Sequence, residues 1–265
     1  MKPDPFRILC AAIALLVVLF IGSNVAVIAV RGSVNLPAYI TRKEVLFAIQ
    51  TSLKSACLST LLCFALAVPT AYTLTRCRVP FRAAISVILE LTLSLPYIVL
   101  GLSLLILFSS PAGKALKAAG FPVVFHPNGI ILAQTIVNLP FAIRLASSAF
   151  RSTDPKLEHV AGLLGASHAA QFFTILLPLC KNQLISAVIL VWSRALGEFG
   201  ATLMLVGVTR MKTETLPANI YLNVSVNDLD GALVSAFLLL VISAVSLAIA
   251  NGLTRVQKER GRYAG

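Results

Sequence analysis

Long apolar stretches alternate with short polar ones along most of this chain. Their Leu, Ile, Val and Ala positions show no period of two, which favours helices over the strands of a barrel. A hydrocarbon layer about 30 Å thick takes roughly 20 helical residues to cross. The pattern therefore predicts an all-α integral membrane protein with six transmembrane helices, at 8–30, 55–75, 84–109, 129–150, 184–208 and 232–253.

Composition supports a membrane protein. The 265 residues are 58% hydrophobic and 12% charged, with a mean hydropathy of +0.90, whereas a soluble domain is about 45–50% apolar and about 25% charged. The first apolar stretch is too long for the core of a signal peptide, and no clear cleavage site follows it. We therefore expect a retained first helix.

The net charge of +12 is interpreted as an asymmetry between loops and not as a sign of nucleic-acid binding. With the N-terminus inside, the inner segments carry twelve Lys and Arg residues and the outer segments eight, leaving Arg144 and Arg194 uncounted within spans. Both termini are therefore predicted to be cytoplasmic. Five scattered cysteines and three unclustered histidines indicate neither a disulfide framework nor a metal site.

One predicted inner loop, "RSTDPKLEHVAGLLGASHAAQFFTILLP", is long and carries helix signals. Asp154 and Pro155 are typical of an N-cap and first helical position, and apolar residues then recur at helical spacing. Gly165 interrupts the pattern before a second short helix, about 168–176. Small residues at the bend allow close approach of another surface, so the loop is predicted to dock a protein. The alternative is an amphipathic helix lying on headgroups.

This loop resembles the signature of ABC importer permeases. The matching positions are Val160, Ala161, Gly165, Ile175, Leu177 and Pro178, while His159 stands where the family has a glutamate. In the family the loop inserts into a groove on a cytoplasmic ATPase. The resemblance therefore implies that these residues couple the chain to an ATPase: Glu158, His159, Val160, Ala161, Gly162, Gly165, Ala166, Ser167, Ile175 and Pro178.

The resemblance covers residues 46–253 and divides the chain into an N-terminal helix with its outer loop (1–45), an ABC transporter transmembrane domain (46–253) and a basic cytoplasmic tail (254–265). The stretches "RALGEFGATLMLVG" and "TETLPANIYLN" are most similar to permeases of molybdate transporters, followed by tungstate permeases. Sulfate permeases share the Arg-x-x-x-Glu-x-Gly arrangement, so a sulfate or thiosulfate importer stays open.

The chain contains no phosphate-binding G-x-x-x-x-G-K-[ST] motif, so we expect no cofactor on it and no catalysis by it. The resemblance implies a homodimer in the cytoplasmic (inner) membrane, two separate ATPase subunits that bind ATP and Mg, and an extracytoplasmic oxyanion-binding protein. Transport would proceed by alternating access. The alternative from another class is a channel or ion-coupled transporter that works without ATP.

Arg194 and Glu198 stand in the middle of the fifth apolar stretch. On a continuous helix residues four apart share a face, so the pair is predicted to neutralise itself. Charges at this depth avoid lipid and face a protein interior or a water-filled cavity. With Gly197 and Gly200 they are candidates for the pathway or a dimer interface. Arg194 contacting an anion, a structural pair and a gate that re-pairs all stay open.

Overall fold

The computed structural model describes the backbone of residues 5–262 and the side chains of residues 6–250 and 252. Side chains of the predicted tail, 254–265, lie outside the described residues. All elements in the described range are helical: α1 Pro5–Tyr39, α2 Lys43–Arg76, α3 Arg82–Ser94, α4 Tyr97–Ser109, α5 Pro111–Ala118, α6 Pro127–Arg151, α7 Pro155–Leu163, α8 His168–Gln171, a π-helical turn Phe172–Leu176, α9 Leu177–Leu196, α10 Gly200–Val206, α11 Leu216–Ser225 and α12 Leu229–Arg262.

The predicted all-α membrane fold is confirmed. Within the described residues five helices are long and apolar enough to cross a membrane, and α3 with α4 makes a sixth span if the bent pair counts as one. The pair bends by 110°, so the predicted stretch 84–109 is not one continuous helix. Pro96 explains the break, because proline disfavours the helical conformation of the residue before it, and Leu95 is extended.

The fifth apolar stretch also differs from its prediction. Its helix ends at Leu196, and α10 begins separately at Gly200, so the predicted span 184–208 is wrong at its C-terminal end. At the other end, the second loop helix is not separate but continues through the π-helical turn into α9. Pro178 lacks the N–H that a regular turn requires, and a π-turn next to it accommodates that loss.

Small side chains let the central helices pack closely. On α2, Ala67 and Ala71 are fully buried, and they face Ala142 and Ala146 of α6. Without a hydrophobic driving force in lipid, such close contact is what holds membrane helices together. α9 packs against both α2 and α6, while α12 covers α9 and α11 and carries α1 at its edge.

The bundle has two ends that differ in structure. We call the end that carries α7 and α8 the loop end, and the opposite end, where α2 and α12 begin, the distal end. At the distal end the Tyr39 hydroxyl donates to Asp228 at 2.8 Å and Arg42 lies 3.5 Å from it. Burial raises the pKa of Asp228, but hydrogen bonds from Gly231 and Tyr39 and the Arg42 charge together bring that pKa below its ordinary value. The ionised carboxylate therefore ties α12 to the α1–α2 turn.

A fully buried carboxylate organises the distal loop before α11. Glu214 has no exposed surface and accepts hydrogen bonds from Arg210 at 3.1 Å, the Met211 amide at 2.9 Å and Asn219 at 2.8 Å. Asn219 in turn accepts from Ser235 of α12 at 2.6 Å. The "TETLP" stretch is thus the polar centre of a network that joins α11 to α12.

We expect Glu214→Ala to lower the free energy of unfolding by about 2–4 kcal/mol, because three donors lose a buried partner at once. Thermal unfolding of the purified protein in detergent measures the loss. The matched control is Asp230→Ala, which removes a carboxylate at the same end whose hydrogen bond from Asn35 is exposed to solvent and should therefore change stability little. Equal losses in both variants would contradict this account.

Candidate functional site

The loop between α6 and α9 is built as its sequence signals predict. The Asp154 side chain accepts from the Lys156 amide at 2.9 Å and begins α7. Gly165 has φ +90°, a left-handed conformation that favours glycine. The Ser167 hydroxyl then accepts from the Ala170 amide at 3.2 Å. The turn between α7 and α8 is therefore fixed by local hydrogen bonds.

Arg76 anchors this loop to the bundle. From the last turn of α2 its Nε donates to Glu158 of α7 at 2.7 Å, and its Nη2 donates to the carbonyls of Phe150 at 2.8 Å and Thr153 at 3.1 Å. The Phe150 carbonyl belongs to the last turn of α6, where helix carbonyls lack intrahelical partners. One guanidinium group therefore connects α2, α6 and α7.

Glu158 is the one buried residue of α7, and the other α7 side chains except the partly buried Ala161 are exposed. Only 7% of Glu158 is exposed, whereas its neighbour His159 is exposed. Leu163 and Leu164 are 76% and 84% exposed, which makes an apolar surface at the end of α7. The other predicted coupling residues lie on or near the surface, with Ala161, Ala166 and Ile175 partly buried and Val160, Gly162, Gly165, Ser167 and Pro178 exposed.

The predicted pairing of Arg194 with Glu198 is wrong. The helix stops at Leu196, so the two residues do not share a helical face. The Glu198 carboxyl accepts from the amides of Ala201 at 2.8 Å and Thr202 at 3.2 Å, and also from the Thr202 hydroxyl. These are the first amides of α10, which have no partners within that helix. Capping α10 outweighs pairing with the arginine.

Arg194 instead contacts two aromatic rings. Its guanidinium carbon is 4.9 Å from the ring centre of Phe141 on α6 and 5.3 Å from that of Tyr97 on α4. Cation–π contacts of this kind offset part of the cost of a desolvated charge. Its Nε is buried without a hydrogen-bond partner among the described residues. The positive charge is therefore held in place but not neutralised by Glu198.

Close backbone contact places the broken segment against α4. A Cβ atom on Gly101 would lie 2.6 Å from the Ala201 backbone, and one on Gly200 would lie 3.3 Å from the Ile98 amide nitrogen. Gly200 therefore has an internal packing role, while Gly197 is exposed and a Cβ atom there would meet only the Arg194 carbonyl oxygen, at 3.9 Å. The Gln134 amide donates to the carbonyl of Ala195 at 3.0 Å and satisfies it at the end of α9.

Comparison with known proteins identifies the family. Residues 64–262 match the family model described as the binding-protein-dependent transport system inner membrane component. The chain belongs to this family. It is a multi-pass membrane permease, the non-catalytic transport subunit of an ABC importer, and in such importers the ATPase is a separate chain.

Curated permeases resemble the chain over most of its length. It is 36% identical to the molybdenum transport system permease protein ModB of Mycobacterium bovis, over 86% of this chain and 87% of that protein. It is 30% identical to the molybdate/tungstate transport system permease protein WtpB of Thermococcus kodakarensis, over 77% and 79%. A bacterial alginate ABC transporter, solved with a periplasmic protein bound to an alginate pentasaccharide, has the same fold, with a TM-score of 0.72, 18% identity and 94% of both chains covered.

Several residues that contact the loop and the break after Leu196 could not be identified from the permease motif. Arg76, Tyr97, Gln134 and Phe141 belong to other helices and lie far from the loop and the break in sequence. Gln171 was also missed, although it lies only six positions after the motif glycine, Gly165. Its side-chain amide donates a hydrogen bond to the Ala166 carbonyl at 2.8 Å. The available sequence signal for Gln171 was a polar residue directly after two alanines, Ala169 and Ala170.

We expect Glu158→Gln to destabilise the permease by about 3 kcal/mol, because it leaves the buried Arg76 guanidinium without its counter-charge. Thermal unfolding measures the loss, and faster tryptic cleavage after Lys156 reports the loosened loop. His159→Gln alters the exposed neighbour and should affect neither measurement. If the two variants behave alike, the anchor described here is incorrect.

Proposed function

We propose that this chain is the permease of an ATP-driven importer for molybdate or tungstate. Two copies would form a homodimer in the cytoplasmic (inner) membrane with both termini inside, bound to two ATPase subunits that carry ATP and Mg. An extracytoplasmic oxyanion-binding protein would deliver the anion to the distal end. The identity to permeases named for molybdenum and for molybdate/tungstate, over three quarters or more of the chain, carries this proposal.

The loop end supports coupling to an ATPase. Exposed apolar side chains such as Leu163 and Leu164 are suited to a protein groove, since an apolar surface on a rigid loop typically marks an interaction site. Because Arg76 joins the loop to both α2 and α6, displacement of α7 by a closing ATPase dimer would be carried into the helices that line the bundle. The proposed mechanism of alternating access needs this kind of rigid connection.

Arg194 is the residue that we propose contacts the anion in the pathway. Guanidinium groups bind tetrahedral oxyanions with strong charge-assisted hydrogen bonds. The objection from the sequence was that Glu198 would neutralise the charge, and Glu198 is instead occupied at α10. The rings of Tyr97 and Phe141 both contact the guanidinium, which limits the conformational entropy lost when an anion binds.

Reconstitution into liposomes tests the proposed function. The permease, its ATPase and the loaded binding protein should accumulate radiolabelled molybdate only with internal Mg-ATP, and tungstate should compete more strongly than sulfate. Deletion of residues 156–177 should abolish uptake and ATPase co-purification. Stronger competition by sulfate would indicate a sulfate importer, and uptake without ATP after the deletion would indicate an ion-coupled transporter or channel.

Arg194→Gln should reduce molybdate uptake about tenfold or more, as expected for a lost charge-assisted contact of about 1.5–3 kcal/mol. The ATPase activity stimulated by loaded binding protein should be retained, because the loop end is unchanged. Arg194→Lys keeps the positive charge but lacks the planar guanidinium group. Its molybdate uptake should lie between that of the wild type and that of Arg194→Gln. A variant complex that fails to assemble, or one that transports normally, would rule out a pathway contact.

A further inference from the structure

A group of cationic side chains lies at the loop end, separate from Arg194 in the last turn of α9. A cavity of about 440 Å³ opens between α3 and α6. Its polar lining consists of Arg82, Ser86, Glu90, Arg144, Ser147 and Arg151. Since a water takes about 30 Å³ in the liquid, the cavity accommodates a tetrahedral oxyanion together with several waters.

Three separate positions contribute the arginines to this cavity. Arg144 and Arg151 are seven residues apart on α6 and therefore share a face about 10 Å in length. Arg82 comes from the first position of α3. Among the described residues none of the three guanidinium groups has an ion-pair or side-chain hydrogen-bond partner. They remain available to a ligand.

The charge of the cavity suits a dianion. Glu90 also lines it, so the three guanidinium groups exceed the carboxylate by two positive charges. Ser86 and Ser147 add hydroxyl donors, and hydroxyls with guanidinium groups are the donors that bind oxyanions. Arg144 is exposed although it lies well inside the long helix α6. Such a charge faces a wet or ligand-filled space in preference to lipid.

The cavity lies next to the Arg194 site along α6, although Arg194 itself belongs to α9. Phe141, whose ring contacts Arg194, precedes Arg144 by three residues on α6, a rise of about 4.5 Å. Arg144 is thus the next cation towards the loop end, and Arg151 follows about 10 Å further. Arg194 of α9 and the two arginines of α6 thus follow one another towards the loop end, with the cavity nearest to that end.

We propose that this cavity is a binding site for a tetrahedral oxyanion at the loop end of the pathway, held by Arg82, Arg144 and Arg151. If the occupant is the imported anion, this inference rests on the proposed function. The phosphate of an anionic lipid has the same chemistry, and basic cavities between helices at the cytoplasmic side bind such headgroups. Both sources use the same three guanidinium groups.

The first experimental arm measures the imported anion. The assembled permease–ATPase complex, in nanodiscs of phosphatidylcholine without binding protein or ATP, is dialysed against radiolabelled molybdate. Arg144→Gln should weaken binding about tenfold, as loss of one charge-assisted contact predicts, and Arg144→Lys should recover part of it. Arg78→Gln is the matched control, because it removes an exposed arginine of the same end that does not line the cavity.

The second arm measures the lipid. The same variants are placed in nanodiscs that contain phosphatidylglycerol, and native mass spectrometry counts the lipids retained on the released complex. Loss of a retained phosphatidylglycerol in Arg144→Gln, but not in Arg78→Gln, assigns the site to a headgroup. Loss of molybdate binding in the first arm assigns it to the imported anion. If Arg144→Gln with Arg151→Gln changes neither measurement, the site does not exist.

The proposed function can fail separately from this site. A wild-type complex that imports sulfate but not molybdate would refute the molybdate assignment, and dialysis with labelled sulfate would then replace the first arm. Normal molybdate import by the wild type, with unchanged binding and lipid retention in the double variant, would refute the site alone.

Discussion

In a lipid environment a broken helix must find partners for its own backbone, because no water is present to supply them. The break between α9 and α10 meets this requirement with side chains. Glu198 accepts hydrogen bonds from the amides of Ala201 and Thr202 in the first turn of α10. Gln134 donates a hydrogen bond to the carbonyl of Ala195 at the end of α9. Ser59 of α2 in turn donates to Gln134 at 3.1 Å. The position of the break therefore depends on two neighbouring helices, α6 and α2.

The same requirement separates the two charges that stand close in sequence. Once Glu198 is committed to α10, Arg194 depends on Phe141 and Tyr97 for compensation. Aromatic faces offset part of the desolvation cost without neutralising the cation. A carboxylate partner would have repelled a passing dianion, whereas the rings leave the positive charge effective. Because Glu198 caps the backbone amides of α10, the charge of Arg194 is left without a carboxylate partner.

Local patterns predicted the parts of the fold that local physics decides. The apolar character of the six stretches, the Asp154 cap and the helix interruption at Gly165 were predicted correctly, because each depends on a few adjacent residues, whereas two of the stretches are broken helices. The break after Leu196 was missed because no proline marks it and its partners lie on α4 and α6. The Arg76 anchor was missed for the same reason, since it joins positions 82 residues apart in sequence.

The distribution of arginines along α6 has a consequence for release as well as for binding. A single deep site that held a dianion tightly would retain it, whereas conduction needs several sites of moderate strength. Arg194 is flanked by rings, and Glu90 offsets part of the charge around Arg144. On the proposed pathway an anion that moves towards the loop end therefore passes from one site of moderate affinity to the next. The loop end is also where Arg76 joins α6 to α7, so a movement of α7 carried through Arg76 would shift Arg144 and Arg151 together relative to Arg194 on α9.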